Sequence, residues 1–409
     1  MAGPRDRYQL PLALHEGDLL QTLVSDVYWP ADLWWFRRTL GALLPEHVAS
    51  ARYCPALGSR RVRLSATAFG AAAVSMLWRN RRVTRLKDES LSRLAARVAR
   101  RTDAALLCYS YYASEAFQAG NQLPYRFLFQ LHPHPYTVRA ELLDELERTP
   151  GARASLMAEA ELSLSDSELG ELASEPERAN GWMVASSYTA ATLSQHGTPR
   201  DRIHVVPYGV DTSRFPARPV EVQKERPFTA VFVGSMVQRK GLSYLLDAIA
   251  LLGSRQIRVV LCGRGQIDRR LLELYRHLDL DILVGLATTQ LVRVLHESDV
   301  FVLPSIAEGF GHVILEAMAA GLPVITTERT CGPDVLEEGI SGFIVPVRSA
   351  EAIAERLSWG MDNRKVLSAM GTSAANRARI FTWDRFRAQS RLAYEDMIVA
   401  AGNGNRMAK

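Results

Sequence analysis

Lysine is nearly missing from this chain: only five of its 49 cationic residues are lysines, namely Lys87, Lys224, Lys240, Lys365 and Lys409. Cysteine is also scarce. Cys54, Cys108, Cys262 and Cys331 lie far apart with no C-x-x-C pair, which excludes a disulfide scaffold, a zinc ribbon and a thiol-redox motif. Their number suits a reducing compartment. No apolar run reaches the roughly 18–20 residues that a membrane-spanning helix needs. The opening stretch MAGPRDRYQLPLALHEGDLLQ has no long apolar core and no small-residue cleavage site, which predicts no secretory signal and a cytoplasmic protein. There is no internal repeat and no low-complexity tract.

What remains is ordinary soluble composition: 409 residues, 47% hydrophobic and 23% charged. At about 150 residues per domain, such a length suggests two or three domains. Charge is unevenly placed. The first hundred residues hold 16 Lys/Arg against 8 Asp/Glu, so the net +5 divides into +8 there and −3 over the other 309.

The second half alternates short apolar runs with amphipathic stretches, the pattern of βαβ units around a parallel sheet. Strands are expected at Thr229–Val233, Arg258–Cys262, Asp281–Val284, Asp299–Leu303, Pro323–Thr326 and Phe343–Val345. Helices are expected at Leu242–Leu252, Arg270–Leu278, Thr288–His296, His312–Ala320 and Ala350–Trp359. A less regular α/β series precedes them, with strands at Ala104–Tyr109, Arg126–Leu131, Trp182–Ser186 and Ile203–Val206. For the opening strand, Leu19–Val24 and Gln9–His15 compete. The proline-rich segment from Ser213 to Pro227 reads as a linker, because proline stops regular ladders.

The most informative stretch is SDVFVLPSIAEGFGHVILEAMAAG, residues 298–321. A buried strand runs into a loop carrying Glu308, Gly309, Phe310 and Gly311, then into a helix carrying Glu316. In an open parallel sheet, ligands bind beyond the carboxyl ends of the strands. Glycines there let a bound group approach the backbone, and the first amides of the helix favour an anion. Glu316 is a carboxylate in an otherwise apolar helix, with His312, Val313, Ala319 and Ala320 as neighbours. An ionised carboxylate can accept both hydroxyls of a vicinal diol such as a ribose.

Glu308 and Glu316, spaced as E-x7-E within EGFGHVILEAMA, resemble the signature of retaining family-4 glycosyltransferases. The flanking blocks FVGSMVQRKGLSYLLDAI, VVLCGRG, SDVFVLPS, GLPVITT and SGFIVP agree in order. The resemblance is dense over about residues 226–375 and thinner before them. It implies the GT-B fold, an α/β architecture of two Rossmann-like domains with parallel sheets facing a central cleft. The expected division is an acceptor-side domain at 1–212, a linker at 213–227 and a nucleotide-sugar-binding domain at 228–379. A C-terminal helix at about 380–400 would complete the first domain.

The resemblance also implies roles. Glu316 would bind the nucleotide ribose, Glu308 the donor-sugar hydroxyls, and the backbone around Phe310 and Gly311 the sugar or its phosphate. After the strand ending at Gly234 comes Ser235-Met-Val-Gln-Arg-Lys-Gly241. Lys240 matches the family's phosphate-binding lysine. Fixed cations there would stabilise a diphosphate leaving group as its charge grows. Where the family has arginine after the glycine, this chain has Ser235, so Arg239 would supply the second cation.

In the first half, FLFQLHPHP places His132 directly after a strand, with His134 two residues on. The family's histidine at such a place touches the donor sugar; His132 is the first choice and His134 the second. The family's early glycine-rich loop is missing, with only Gly17 near the first strand. Val184–Ser187 and Val206–Asp211 read as structural, with Tyr208 where the family has asparagine.

The expected function is therefore sugar transfer from a nucleotide-sugar donor to a carbohydrate, lipid-linked or small-molecule acceptor, with retained configuration. No metal and no cofactor are expected. A sugar-nucleotide epimerase, or a non-catalytic nucleotide-sugar-binding protein of the same fold, is the alternative. Asp279-Leu-Asp281 matches a metal-binding D-x-D pattern only by its letters. Gly263-Arg-Gly265 begins a dinucleotide fingerprint but has Asp268 where the third glycine belongs. The basic stretch Trp78–Arg101 packs Leu91, Leu94, Ala95 and Val98 inward and projects Arg93, Arg97 and Arg100. It reads as a solvated face or, with Trp29, Trp34 and Trp35, as a peripheral contact with anionic membrane. No motif supports nucleic-acid binding.

Overall fold

Among the described residues, twelve short strands form three parallel sheets, β1 to β12 in chain order. The computed structural model describes residues 5–26, 28, 52–65, 67–68, 70–71, 81–218, 226–253, 257–265 and 267–407. In the first half, β1 (Leu23–Ser25) pairs with β2 (Val62–Leu64) as a two-stranded ribbon. Next to it stands a four-stranded sheet in the order β3 (Leu106–Tyr109), β4 (Arg126–Gln130), β5 (Gly181–Val184), β6 (Ile203–Val205). Central strands such as Phe127-Leu-Phe129 are fully buried, as expected when helices cover both faces of a parallel sheet.

The second sheet has six strands: β7 (Phe228–Ser235), β8 (Ile257–Arg264), β9 (Leu280–Val284), β10 (Val300–Leu303), β11 (Val324–Thr327) and β12 (Gly342–Val345). Their spatial order is β9-β8-β7-β10-β11-β12. Counted within this domain that is 3-2-1-4-5-6, the doubly wound Rossmann order, whose ligand crevice lies where the order reverses. Here the reversal falls between β7 and β10. Both loops leaving those strands therefore open at one place.

All six expected second-half strands are present, shifted by at most two residues at either end. In the first half, Gln9–Glu16 is a helix rather than a strand. Pro11 cannot donate to a ladder, and helical spacing puts Leu10, Ala13 and Leu14 in the interior. That helix packs on the 25-residue helix Trp383–Met407. Arg387 bonds Gln9 at 2.7 Å and pairs with Glu16 at 2.9 Å. The same long helix meets the first sheet, where the Tyr394 ring lies edge-on to Phe127 at 5.5 Å.

The basic helix Arg81–Thr102 buries Leu91 against Val24 and Ala68. Arg93, Arg97 and Arg100 are exposed, with Arg93 paired to Glu89 at 3.3 Å. Trp29, Trp34, Trp35 and residues 78–80 lie outside the described residues, as do residues 219–225 of the expected linker 213–227. Among the described residues, no helix is long and apolar enough to cross a membrane.

Candidate active site at the sheet switch point

The loop after β7 forms a turn, Gln238–Lys240, ended by Gly241. Gly241 has φ of 74°, and a Cβ there would stand 1.9 Å from the Pro304 carbonyl oxygen just past β10. Only glycine satisfies both demands. The Ile306 amide donates to the Arg239 carbonyl at 2.9 Å. The two loops are thus fixed to each other before any ligand arrives.

On this frame the Lys240 ammonium contacts the Glu308 carboxylate, and Arg239 Nη1 lies 3.6 Å from the same oxygen. Arg239 also donates to the Ala307 carbonyl at 2.8 Å and pairs with Glu159 of the first domain at 3.1 Å. Burial pushes the Lys240 ammonium well below the usual lysine range, and the neighbouring Arg239 charge adds to this while Glu159 opposes it. Gly234 and Ser235 end β7, with Ser235 exposed. The structure therefore brings Lys240, Arg239 and Glu308 together and leaves Ser235 open beside them.

The first domain meets this loop through Gly309. A Cβ on Gly309 would lie 1.9 Å from the Leu131 carbonyl oxygen and 3.3 Å from the His132 Cα. This glycine makes room for the other domain's backbone. Ser186 and Thr189 hydroxyls donate to the Gly309 carbonyl at 2.6 and 3.1 Å. The Ser187 amide donates to Asp334 at 2.9 Å. Val184–Ser187 thus joins the domains.

The two histidines diverge. His132 is exposed beside Gly309, its ring edge-on to Tyr111 at 4.9 Å. His134 is buried, stacked on His196 at 3.7 Å, and burial lowers its imidazole to about 4. The Tyr111 hydroxyl donates to Glu161. His132, Tyr111, Glu159 and Glu161 form the first-domain wall of the site.

Phe310 is buried, its ring edge-on to Tyr208 at 5.1 Å; His312 stacks on Tyr208 at 4.4 Å. Gly311, with φ of 88°, opens the helix His312–Ala319. Glu316 is carried one turn further in. It lines a cavity of about 240 Å³ shared with Asp6, Arg7, Asp211, Phe215, His312 and Trp383. Burial raises its carboxyl to about 7 even though Arg7 and Arg214 work in the opposite direction. Glu308 does not line this cavity.

Sequence reasoning missed Glu159, Tyr111, Glu145 and Arg7, which are single polar residues in unpatterned surroundings. Glu145 is fully buried and accepts from Gln238, Tyr244, Thr149 and Arg348. Asp281 is paired with Arg258 on the sheet. Among the described residues, no group of three His, Cys, Asp or Glu side chains is placed to hold a metal.

Two Rossmann-like domains meeting across such a switch point define the GT-B fold. A glycosyltransferase from Rickettsia africae aligns over 97% of this chain and 95% of its own, with a TM-score of 0.60 at 15% identity. Anabaena HepE in complex with UDP covers 88% and 89%, with a TM-score of 0.58 at 15% identity. Residues 213–377 match the family model of glycosyl transferases group 1. The putative colanic acid biosynthesis glycosyltransferase WcaL of Escherichia coli is 34% identical over 185 residues, 42% of this chain and 45% of that protein. The D-inositol 3-phosphate glycosyltransferase of Corynebacterium glutamicum is 30% identical over 220 residues, 49% and 53% of the two chains. The chain spans about half the length of the curated relatives it matches.

Proposed function

We propose that this protein is a retaining family-4 glycosyltransferase that moves a sugar from a nucleotide-sugar donor to an acceptor hydroxyl. The observation that carries this reading is the convergence of Lys240, Arg239 and Glu308 where the strand order reverses. A donor entering there would exchange the Lys240–Glu308 contact for two of its own: diphosphate on Lys240 and Arg239, sugar hydroxyls on Glu308. Glu316, in its cavity, would take the ribose diol. Support comes from the glycosyltransferase names of the relatives and from Anabaena HepE, described with UDP-glucose.

The division of labour follows. The second domain, about 228–379, holds the donor. The first, about 1–212 with the returning C-terminal helix, presents the acceptor past His132. The leaving phosphate oxygen takes the acceptor's proton as the new bond forms on the same face, so the configuration is retained and no protein nucleophile is needed. Cations and helix amides that are already oriented stabilise the growing phosphate charge. No metal has a step in this scheme. The acceptor is a carbohydrate, a lipid-linked sugar or a small molecule, and the Arg93, Arg97 and Arg100 face would meet anionic headgroups if the acceptor is membrane-held.

Incubating the full chain with a panel of nucleotide sugars tests this. Donor-dependent thermal stabilisation, with release of nucleoside diphosphate that rises when acceptor is added, is expected. Stabilisation with an isomerised sugar and no release would instead identify an epimerase. Binding without either product would identify a sensor.

A further inference from the structure

The turn Arg5–Tyr8 has an uncommon backbone. Asp6, Arg7 and Tyr8 take φ values of 41°, 53° and 64° in succession, a region that L side chains seldom occupy. Its two flanks explain how the turn persists. The buried Asp6 carboxyl accepts from the Tyr109 hydroxyl at 2.9 Å and from the Leu10 amide at 3.2 Å. Tyr8, 2% exposed, lies edge-on to Tyr28 at 5.5 Å and donates to the Arg52 carbonyl at 3.4 Å. Both anchors belong to the first domain. Between them Arg7 stays exposed and lines the cavity that contains Glu316 of the second domain.

We propose that Arg7 is a positioning residue of the donor site, delivered by the first domain to keep the Glu316 carboxylate ionised and able to accept both hydroxyls of a ribose. This rests on the donor reading above. The chemistry is simple: a protonated carboxyl has one donor and cannot accept from a diol through both oxygens, and burial favours the protonated form.

The other groups around Glu316 do not replace Arg7. Asp6, whose carboxyl burial raises to about 7, accepts from Tyr109 through one oxygen, and Asp211 accepts from the Ser213 hydroxyl at 2.6 Å. Burial and Arg7 push His312 down to about 4, so it brings no charge at neutral pH. Among the described residues, Arg214 is the one further cation acting on Glu316, and it comes from the segment after β6. A strained, doubly anchored turn thus offers one guanidinium of the first domain to the Glu316 side of the cleft, as Glu159 meets Arg239 on the Lys240 side.

Calorimetric titration of the full chain with UDP, GDP, ADP and TDP, between about pH 5.5 and 9, tests this. Parent, Arg7→Ala, Arg7→Lys and Glu316→Gln are compared with the tightest of the four. Losing one neighbouring cation should move the binding midpoint of Arg7→Ala up by about one pH unit and so weaken it about fivefold at pH 7. Arg7→Lys should restore most of both. Glu316→Gln should bind weakly and keep only the pH dependence of the diphosphate and the other groups at the site, without the midpoint that Arg7→Ala moves. Weakening without a midpoint shift, or no change at all in Arg7→Ala while Glu316→Gln loses affinity, overturns the Arg7 assignment and leaves the donor reading intact. Glu316→Gln binding as tightly as the parent overturns the donor reading itself, and binding of none of the four counts against both. Arg7 is exposed, so both Arg7 variants should melt with the parent; if the alanine form does not, the lysine form carries the pH comparison.

Discussion

Glu145, wholly buried in the helix Pro135–Arg148 of the first domain, accepts a 2.8 Å hydrogen bond from the Gln238 side chain of the second. Gln238 opens the turn that carries Arg239 and Lys240. The same carboxylate accepts from Arg348 Nε at 2.8 Å and from the Tyr244 hydroxyl at 3.0 Å. The cationic turn is therefore held from the opposite domain as well as from its own.

Removing that carboxylate takes an acceptor from Arg348, Gln238, Thr149 and Tyr244, of which Arg348 keeps Glu141 and Asp144 and Gln238 keeps Ser243. Glu145→Ala should cost about 3 kcal/mol or more, the scale for breaking one side of a buried pair. Urea denaturation followed by tryptophan fluorescence measures it. A midpoint equal to that of the parent would mean that water replaces Glu145 without penalty.

Gly309→Ala puts a methyl group where the Leu131 carbonyl stands, 1.9 Å away. The domains must part to admit it. Turnover should fall by about 10²-fold, as expected when reacting groups are displaced by around an ångström, and small-angle scattering should show a larger radius of gyration. An unchanged radius with full turnover would show that the contact is dispensable.

Lys240→Ala should lower turnover by about 10²-fold or more, the effect of losing one fixed charge stabiliser. Initial rates of nucleoside diphosphate release report it. A rate within about a factor of two of the parent would remove Lys240 from the phosphate site.

Glu316 sets a pH dependence whose sign is fixed. Its folded value of about 7 lies above the ordinary carboxylate value, so the folded state binds its proton more tightly than the unfolded chain does. Its contribution to stability is full below the ordinary value and is lost as pH rises through about 7. Donor binding runs the other way, because the diol needs the ionised form. Donor affinity should therefore rise through pH 7 while Glu316→Gln gains stability over the parent at alkaline pH; calorimetry and melting curves check the two arms.

The second domain was legible because each βαβ unit repeats a buried run, a glycine turn and an amphipathic helix, so Glu308 and Lys240 could be placed beyond strand ends and Glu316 in the helix that follows one. The first domain was less so. Gln9–Glu16 has too few residues to separate period 2 from period 3.6, and only Pro11 spoke for the helix. Glu145 and Glu159 act on partners 93 and 80 positions away, and no local periodicity records such a pairing. Gly309 was singled out for its loop, but its true constraint, the carbonyl of Leu131, comes from the other domain and leaves no mark on its own neighbourhood.

The most direct measurement follows nucleoside diphosphate release with donor and acceptor present, for the parent and for Glu308→Gln and Glu316→Gln. If the two carboxylates grip different parts of one activated sugar, Glu316→Gln raises KM and Glu308→Gln lowers kcat, each by about tenfold or more. Two variants with the parent's kcat and KM would show that neither side chain touches the donor.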